Sequence, residues 1–255
     1  MITVKIALDA GHGVNSAGKR VLRELDPNET REWTLNARVC DKIQRILREY
    51  EDIEVIRLDD AIGGEENIPL AQRTETANAN GTDLVVSVHH NAGISGGNGG
   101  GIVAYSYTGS AAGKTWRDAF YDRLIELTGL AGNRSNPKAE AGFYILRYTN
   151  APAVLLELGF MDSRTDVPVI LSEGYADACA EAIAGVIAEA FLLQRKQNTE
   201  KRYNTLAEMP AWARETVKKL VDAGYLKGTD ATGEKLNLSE DMLRVLVLCD
   251  RAGAF

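Results

Sequence analysis

Each thing this 255-residue chain lacks closes off a class of protein. It has no basic excess: 29 Lys and Arg against 36 Asp and Glu leave a formal net charge of −7. A phosphate-binding surface needs a cationic footprint, so no nucleic-acid partner is expected. No apolar run is long enough to cross a bilayer, so no membrane insertion is expected either. The opening residues Met1-Ile2-Thr3-Val4-Lys5 run straight into a strand-like segment. They show no basic stretch, apolar stretch and small-residue cleavage site in succession. The expectation is synthesis in the cytoplasm without a signal peptide, with action elsewhere only after release. Cysteine is sparse and odd in number, with Cys40, Cys179 and Cys249 far apart and no CxxC. That excludes a disulfide framework and reads as ordinary core residues. Histidine is equally sparse, three in all, but none is scattered. His12 lies in Ala7-Leu8-Asp9-Ala10-Gly11-His12-Gly13, and His89 and His90 lie in Ser87-Val88-His89-His90-Asn91-Ala92.

What is present is a soluble α/β pattern. Hydrophobic residues make up 45% and charged residues 25%, enough apolar material for a sizeable core. Buried strands are expected at 4–8, 54–58, 83–88, 102–107 and 153–156, with a short strand at Phe143–Arg147. Helices are expected at Ile68–Asn80, 111–128, 164–171 and 174–194. One more starts at Asp26-Pro27-Asn28-Glu29, with Asp26 as N-cap and Glu29 closing a capping box. Its apolar face is Leu35, Val39, Ile43, Ile46, Leu47 and Tyr50. Strands alternating with helices imply a mostly parallel central sheet flanked by helices on both faces. The polar run 196–204 reads as a linker between a large α/β domain at 1–195 and a small helical module at 205–255. In that module Pro210 starts one helix, with Val217, Leu220, Val221, Gly224 and Tyr225 on one face, and Ser239 caps the other.

Three motifs follow three strands on one side of such a sheet: Asp9-Ala10-Gly11-His12, His89-His90-Asn91 and Glu157-Leu158-Gly159-Phe160. Ligands of open α/β sheets bind beyond the carboxyl ends of the strands. Helix periodicity adds Glu32 and Asn36, which fall at the centre of the apolar stripe. A carboxylate on an inward face needs a partner. Two histidines and one glutamate are an established set for catalytic zinc, with the fourth position left to water. Strand alternation sends His89 and His90 to opposite faces, which favours His89 as the ligand. Glu157 then suits a general base and acid, unless it is a buried carboxylate paired with Arg73 or Arg147. Asp9 reads as a loop-bracing acid.

These motifs, with Glu32-(three residues)-Asn36 and Pro152-Ala153-Val154-Leu155-Leu156-Glu157-Leu158-Gly159-Phe160, resemble the zinc-dependent N-acetylmuramoyl-L-alanine amidases of the amidase-3 type, phage endolysins among them. The resemblance covers about residues 1–195. It implies hydrolysis of the amide between N-acetylmuramic acid and L-alanine in bacterial peptidoglycan. It also implies one zinc ion held by His12, Glu32 and His89, with Glu157 as the catalytic carboxylate. His90, Asn91 and Arg73 would orient substrate or brace loops. The loop Val14-Asn15-Ser16-Ala17-Gly18-Lys19-Arg20 departs from the longer Gly/Asp-rich stretch usual there. The two other readings are a zinc peptidase or deacetylase of related fold and a non-catalytic wall-binding protein. The module at 205–255 would bind the wall or mediate self-association into a homo-oligomer.

Overall fold

A computed structural model describes residues 3–59, 67–196, 201–230 and 235–255. The chain divides into two compact units, Met1–Lys196 and Gln197–Phe255. Part of the expected linker, 197–200, lies outside the described residues.

The first unit is built on a six-stranded sheet. In chain order its elements are β1 (Val4–Ala10), α1 (Glu32–Leu47), β2 (Ile53–Arg57), α2 (Leu70–Ala79), β3 (Leu84–Asn91), β4 (Ile102–Tyr107), α3 (Ala111–Thr128), β5 (Lys138–Ala141), α4 (Tyr144–Arg147), β6 (Ala153–Phe160), α5 (Val167–Ile170) and α6 (Glu173–Ala190). The strand order is β2-β1-β3-β6-β4-β5. All neighbours are parallel except β4 and β6.

Side-chain alternation sorts the core into two layers. Ile6, Leu8, Leu84, Val86, Val88, Val154 and Leu156 face one way, into the cluster shared with Leu35, Val39 and Ile43 of α1, Phe120 and Leu124 of α3, and Ile183 and Ile187 of α6. Ala7, Val85, Ala153 and Leu155 face the other, with Ala77 of α2 and Ile145 and Leu146 of α4. Strands covered on both faces read as near-continuous apolar runs, as β1, β3 and β6 do.

Three local expectations change. Helix α1 begins at Glu32 rather than near Asp26. The Asp26 carboxylate instead accepts from the backbone of Asn28 and Thr30 and from the Thr30 hydroxyl, closing a turn of its own. Short acidic side chains favour such local bonds over a helix cap when the chain must still bend. Glu29 takes a left-handed φ of 48° and approaches Arg20 and Arg23, so it closes no capping box. Phe143–Arg147, expected as a short strand, instead forms one helical turn at Tyr144–Arg147 that covers the second core layer, and the edge strand beside it is β5. A segment this short is too brief for periodicity to separate the two.

The second unit pairs a two-residue ribbon, β7 (Arg202–Tyr203) with β8 (Leu238–Ser239), and packs α7 (Ala211–Asp222) against α8 (Glu240–Arg251). Its core is Tyr203, Met209, Ala213, Val217, Leu236, Leu238, Leu243 and Val247. Pro210 precedes α7, and the Ser239 hydroxyl accepts from the Met242 amide at the start of α8. Tyr225, expected on the buried face, is exposed because α7 ends at Asp222 and the chain turns through Gly224 at φ 74°.

Candidate active site

The centre of the sheet sets the geometry. β1 and β6 flank β3, with Ala10 beside Val88 and His89 beside Glu157. The Gly11 amide donates to the Val88 carbonyl, which seats Gly11 against His89. A Cβ at Gly11 would lie 2.0 Å from the His89 ring, so only glycine fits there. The next residue, His12, takes a left-handed φ of 68°, a conformation a histidine holds only under outside constraint.

That constraint is Arg73. Its side chain is 2% exposed. One terminal nitrogen donates to Asp9 Oδ1 and to the Ala10 carbonyl, the other to the His12 carbonyl at 2.5 Å, and Nε to the Ile68 carbonyl. Asp9 also accepts from the Ser87 hydroxyl. Arg73 therefore holds the shape of the His12 loop from beneath and pairs with Asp9 rather than with Glu157.

Glu32 enters from the first turn of α1, buried at 1% exposure. Its Oε1 lies 3.1 Å from His89 Nδ1 and accepts from the His90 amide at 3.2 Å. Its Oε2 lies 3.3 Å from His12 Nε2, is buried, and accepts no hydrogen bond. Burial opposes ionisation of Glu32, but the His12 and His89 imidazoles overcome it and hold the carboxyl below its ordinary range. Ligand atoms of His12, Glu32 and His89 all fall within 4.8 Å of one another. A buried acceptor left open, two imidazoles and a glycine cradle are what a cation site of two nitrogens and one oxygen requires. The three residues fit a zinc ion.

Both histidines of the pair point to α1, contrary to simple alternation. His89 meets Glu32, and His90 Nδ1 lies 2.8 Å from Asn36 Oδ1. The register of β3 against β6 shifts between His89 and Asn91, and this irregularity re-aims the side chains at the strand end. His90 is 3% exposed, and burial pushes its pKa down to about 3, so it is a neutral strut. Asn36 also donates to the Gly11 carbonyl at 3.1 Å, tying α1, β1 and β3 together. Asn91 accepts from the Ala92 amide and shapes the start of its loop.

Glu157 stands beside His89, partly buried, and its Oε2 is buried without a hydrogen-bond partner. Burial pushes its pKa up to about 7; the His89 charge pulls it down and the Glu32 charge pushes it up. A carboxyl poised near neutrality can both take and return a proton. Below pH 7 this group is increasingly protonated and lost as a base, and a bound cation draws the transition lower. The acidic limb of kcat/KM is expected to have its midpoint between 4.5, the ordinary value, and 7. A profile flat down to pH 4 would contradict a proton-accepting Glu157.

Sequence reasoning overlooked Lys19, Asp162 and Asp166. Lys19 Nζ lies 3.9 Å from Glu32 Oε2. Asp162 Oδ2 accepts from the amides of Gly93, Ile94 and Ser95. Asp166 Oδ2 accepts from those of Gly101 and Phe160, so the two acids fix both ends of the glycine-rich loop after β3. Only the glycine content of 93–101 hinted that an outside acceptor was needed.

Residues 6–189 match the amidase-3 model of N-acetylmuramoyl-L-alanine amidases. The chain belongs to this family and is an enzyme of that class. It is 31% identical over 193 residues to the N-acetylmuramoyl-L-alanine amidase CwlM of Bacillus licheniformis, covering 75% of this chain and 70% of that protein. It is 29% identical over 194 residues to the endolysin of Bacillus phage SPP1, covering 74% and 66%. The fold is shared with the N-acetylmuramoyl-L-alanine amidase of Clostridium difficile 630, at a TM-score of 0.66 and 24% identity over 75% of this chain and 98% of that one. The unit beginning at Gln197 lies outside the family match.

Proposed function

We propose that this enzyme hydrolyses the bond between the lactyl carbonyl of N-acetylmuramic acid and L-alanine in bacterial peptidoglycan, with His12, Glu32 and His89 holding one zinc ion. The observation that carries the reading is a buried Glu32 carboxylate set between two imidazoles with its Oε2 open, together with a second open carboxylate oxygen, Glu157 Oε2, on the strand next to that of His89. A zinc ion in such a set supplies Lewis acidity to water and to the amide carbonyl.

The chain's own groups do the rest. Glu157 accepts a proton from the attacking water at Oε2, the atom with no other partner. The hydroxyl adds to the lactyl carbon, the carbon–nitrogen bond breaks, and Glu157 returns the proton to the departing alanine amine. Arg73, Asn36 and His90 keep the three ligand-bearing segments in register. The protein acts on the wall as a lytic enzyme, in keeping with its similarity to a phage endolysin. Among the described residues no helix is long and apolar enough to cross a membrane.

Digestion of purified wall with and without a chelator tests the proposal. New L-alanine amino termini should appear with glycan strands intact, stop with chelator and return with added zinc. New reducing sugar ends, or cleavage between amino acids, would assign another reaction.

A further inference from the structure

Beyond Glu157 the sheet carries a cation that the reaction above does not use. His89 and Glu157 are register partners, and so are Asn91 and Phe160. Three steps along β6 therefore match two along β3, and the extra residue is taken up at Gly159, whose φ of 106° closes a bulge. The bulge returns Phe160 to the sheet face that carries Glu157. Val103 of β4 lies opposite Glu157, and Tyr105 follows two residues on along that same face.

Phe160 serves as a platform. It is fully buried, and its amide donates to Asp166 Oδ2 at 2.9 Å. Arg134 lies over the ring, with its guanidinium carbon 4.6 Å from the centroid. The loop that presents Arg134 is fixed twice over. Gly132 packs so closely on Gly100 that a Cβ there would lie 2.1 Å from the Gly100 carbonyl oxygen. Asn133 Oδ1 accepts from the Gly100 amide at 3.0 Å. Arg134 itself is exposed, and among the described residues it has no acidic partner. Its charge reaches the catalytic face all the same. Burial raises the pKa of the Tyr105 phenol, the Glu157 charge adds to the rise, and the Arg134 charge opposes it. A guanidinium held by its loop and by a ring, with its donors open, is preorganised for a planar anion.

The proposed substrate supplies one. Its glycan branch offers neutral N-acetyl and hydroxyl groups, whereas its peptide branch carries carboxylates. Two strand steps from the level of Glu157 to that of Phe160 cover about 7 Å. An extended peptide covers the same distance in about two residues. A stem leaving the scissile amide in that direction brings the residue after L-alanine beside Arg134. We infer that Arg134 binds the carboxylate of this second stem residue and selects stems that carry it as a free acid over stems that carry it as an amide. The identity of the substrate rests on the amidase reading above.

Two N-acetylmuramoyl-L-alanyl-D-glutamyl peptides test this, one with the α-carboxylate of the glutamyl residue free and one with it as a carboxamide. They are titrated calorimetrically into the zinc-loaded full chain carrying Glu157→Gln, which turns them over slowly. The acid should bind roughly tenfold more tightly than the amide, the scale of a charge-assisted pair, and the preference should shrink with added salt. Adding Arg134→Met should abolish the preference, and Arg134→Lys should keep part of it. With Glu157 in place, Arg134→Met should raise KM for the acid while kcat moves far less. Binding of neither peptide, equal binding of both, or a preference that survives Arg134→Met overturns the inference. So does an Arg134→Met variant that weakens both peptides equally, the mark of a side chain that only props its loop. The amidase reading is judged separately, by release of L-alanine amino termini from wall, and it stands if acid and amide are cleaved alike.

Discussion

Replacing Glu157 with Gln lowers amidase turnover by about two orders of magnitude or more while leaving one zinc per chain, the scale of a lost general base. Glutamine keeps the shape and cannot take a proton. The proposed metal ligands are untouched, because Glu157 sits on β6 whereas His12, Glu32 and His89 come from the β1 loop, α1 and β3. Stability moves in the opposite direction. Burial raises the folded-state pKa of Glu157 from 4.5 to about 7, so the folded protein binds this proton more tightly than the unfolded chain does. The resulting penalty on the folded state is absent below pH 4.5, grows between 4.5 and 7, and is complete above 7. For the metal-free protein the substitution therefore stabilises at pH 8 by up to roughly 3 kcal/mol and has little effect at pH 4. Urea unfolding at the two pH values, beside assays on wall and zinc analysis, checks all three effects. Full turnover by the variant would remove Glu157 from the mechanism.

Arg73→Met is the most destabilising substitution expected near the site. The guanidinium is buried, pairs with a buried Asp9, and satisfies the Ala10, His12 and Ile68 carbonyls. Its removal leaves Asp9 charged in the interior with only the Ser87 hydroxyl and strands three acceptors. Breaking one side of a buried pair costs about 3–5 kcal/mol, which for a domain of this size lowers Tm by roughly 10 °C. Zinc affinity falls as well, since the His12 backbone loses the donor that holds its left-handed conformation. Arg73→Lys recovers little, because one ammonium cannot span both sides of the loop. Asp9→Asn in the Arg73→Met background regains part of the loss by removing the stranded charge. Thermal unfolding of the single and double variants measures this coupling. An unchanged Tm in Arg73→Met would show that the loop is held by something else.

These two residues show what the sequence could and could not disclose. Glu157 was legible because a buried strand ended in an acid, and its strand had to lie near that of His89 in a parallel sheet. Glu32 was legible because an acid in an apolar helical stripe needs a partner, even though the helix start was misplaced by five residues. Arg73 and Asp9 each stood in a recognisable motif, but nothing in the sequence paired them. Asp9 and Arg73 are 64 residues apart, and the pairing follows from packing α2 under the end of β1, which no local pattern encodes. The His89–His90 pair misled for a related reason. Alternation holds along a regular strand, and a register shift at its last residues cancels it. The short α4 turn was hidden by its length.

Diffraction from zinc-loaded crystals at the zinc absorption edge measures the centre itself. One anomalous peak is expected, about 2.0–2.2 Å from a ring nitrogen of His12, a ring nitrogen of His89 and an oxygen of Glu32, with Glu157 near the fourth position but not bound. A peak elsewhere, or one coordinated by Glu157 with His12 turned away, would contradict the account.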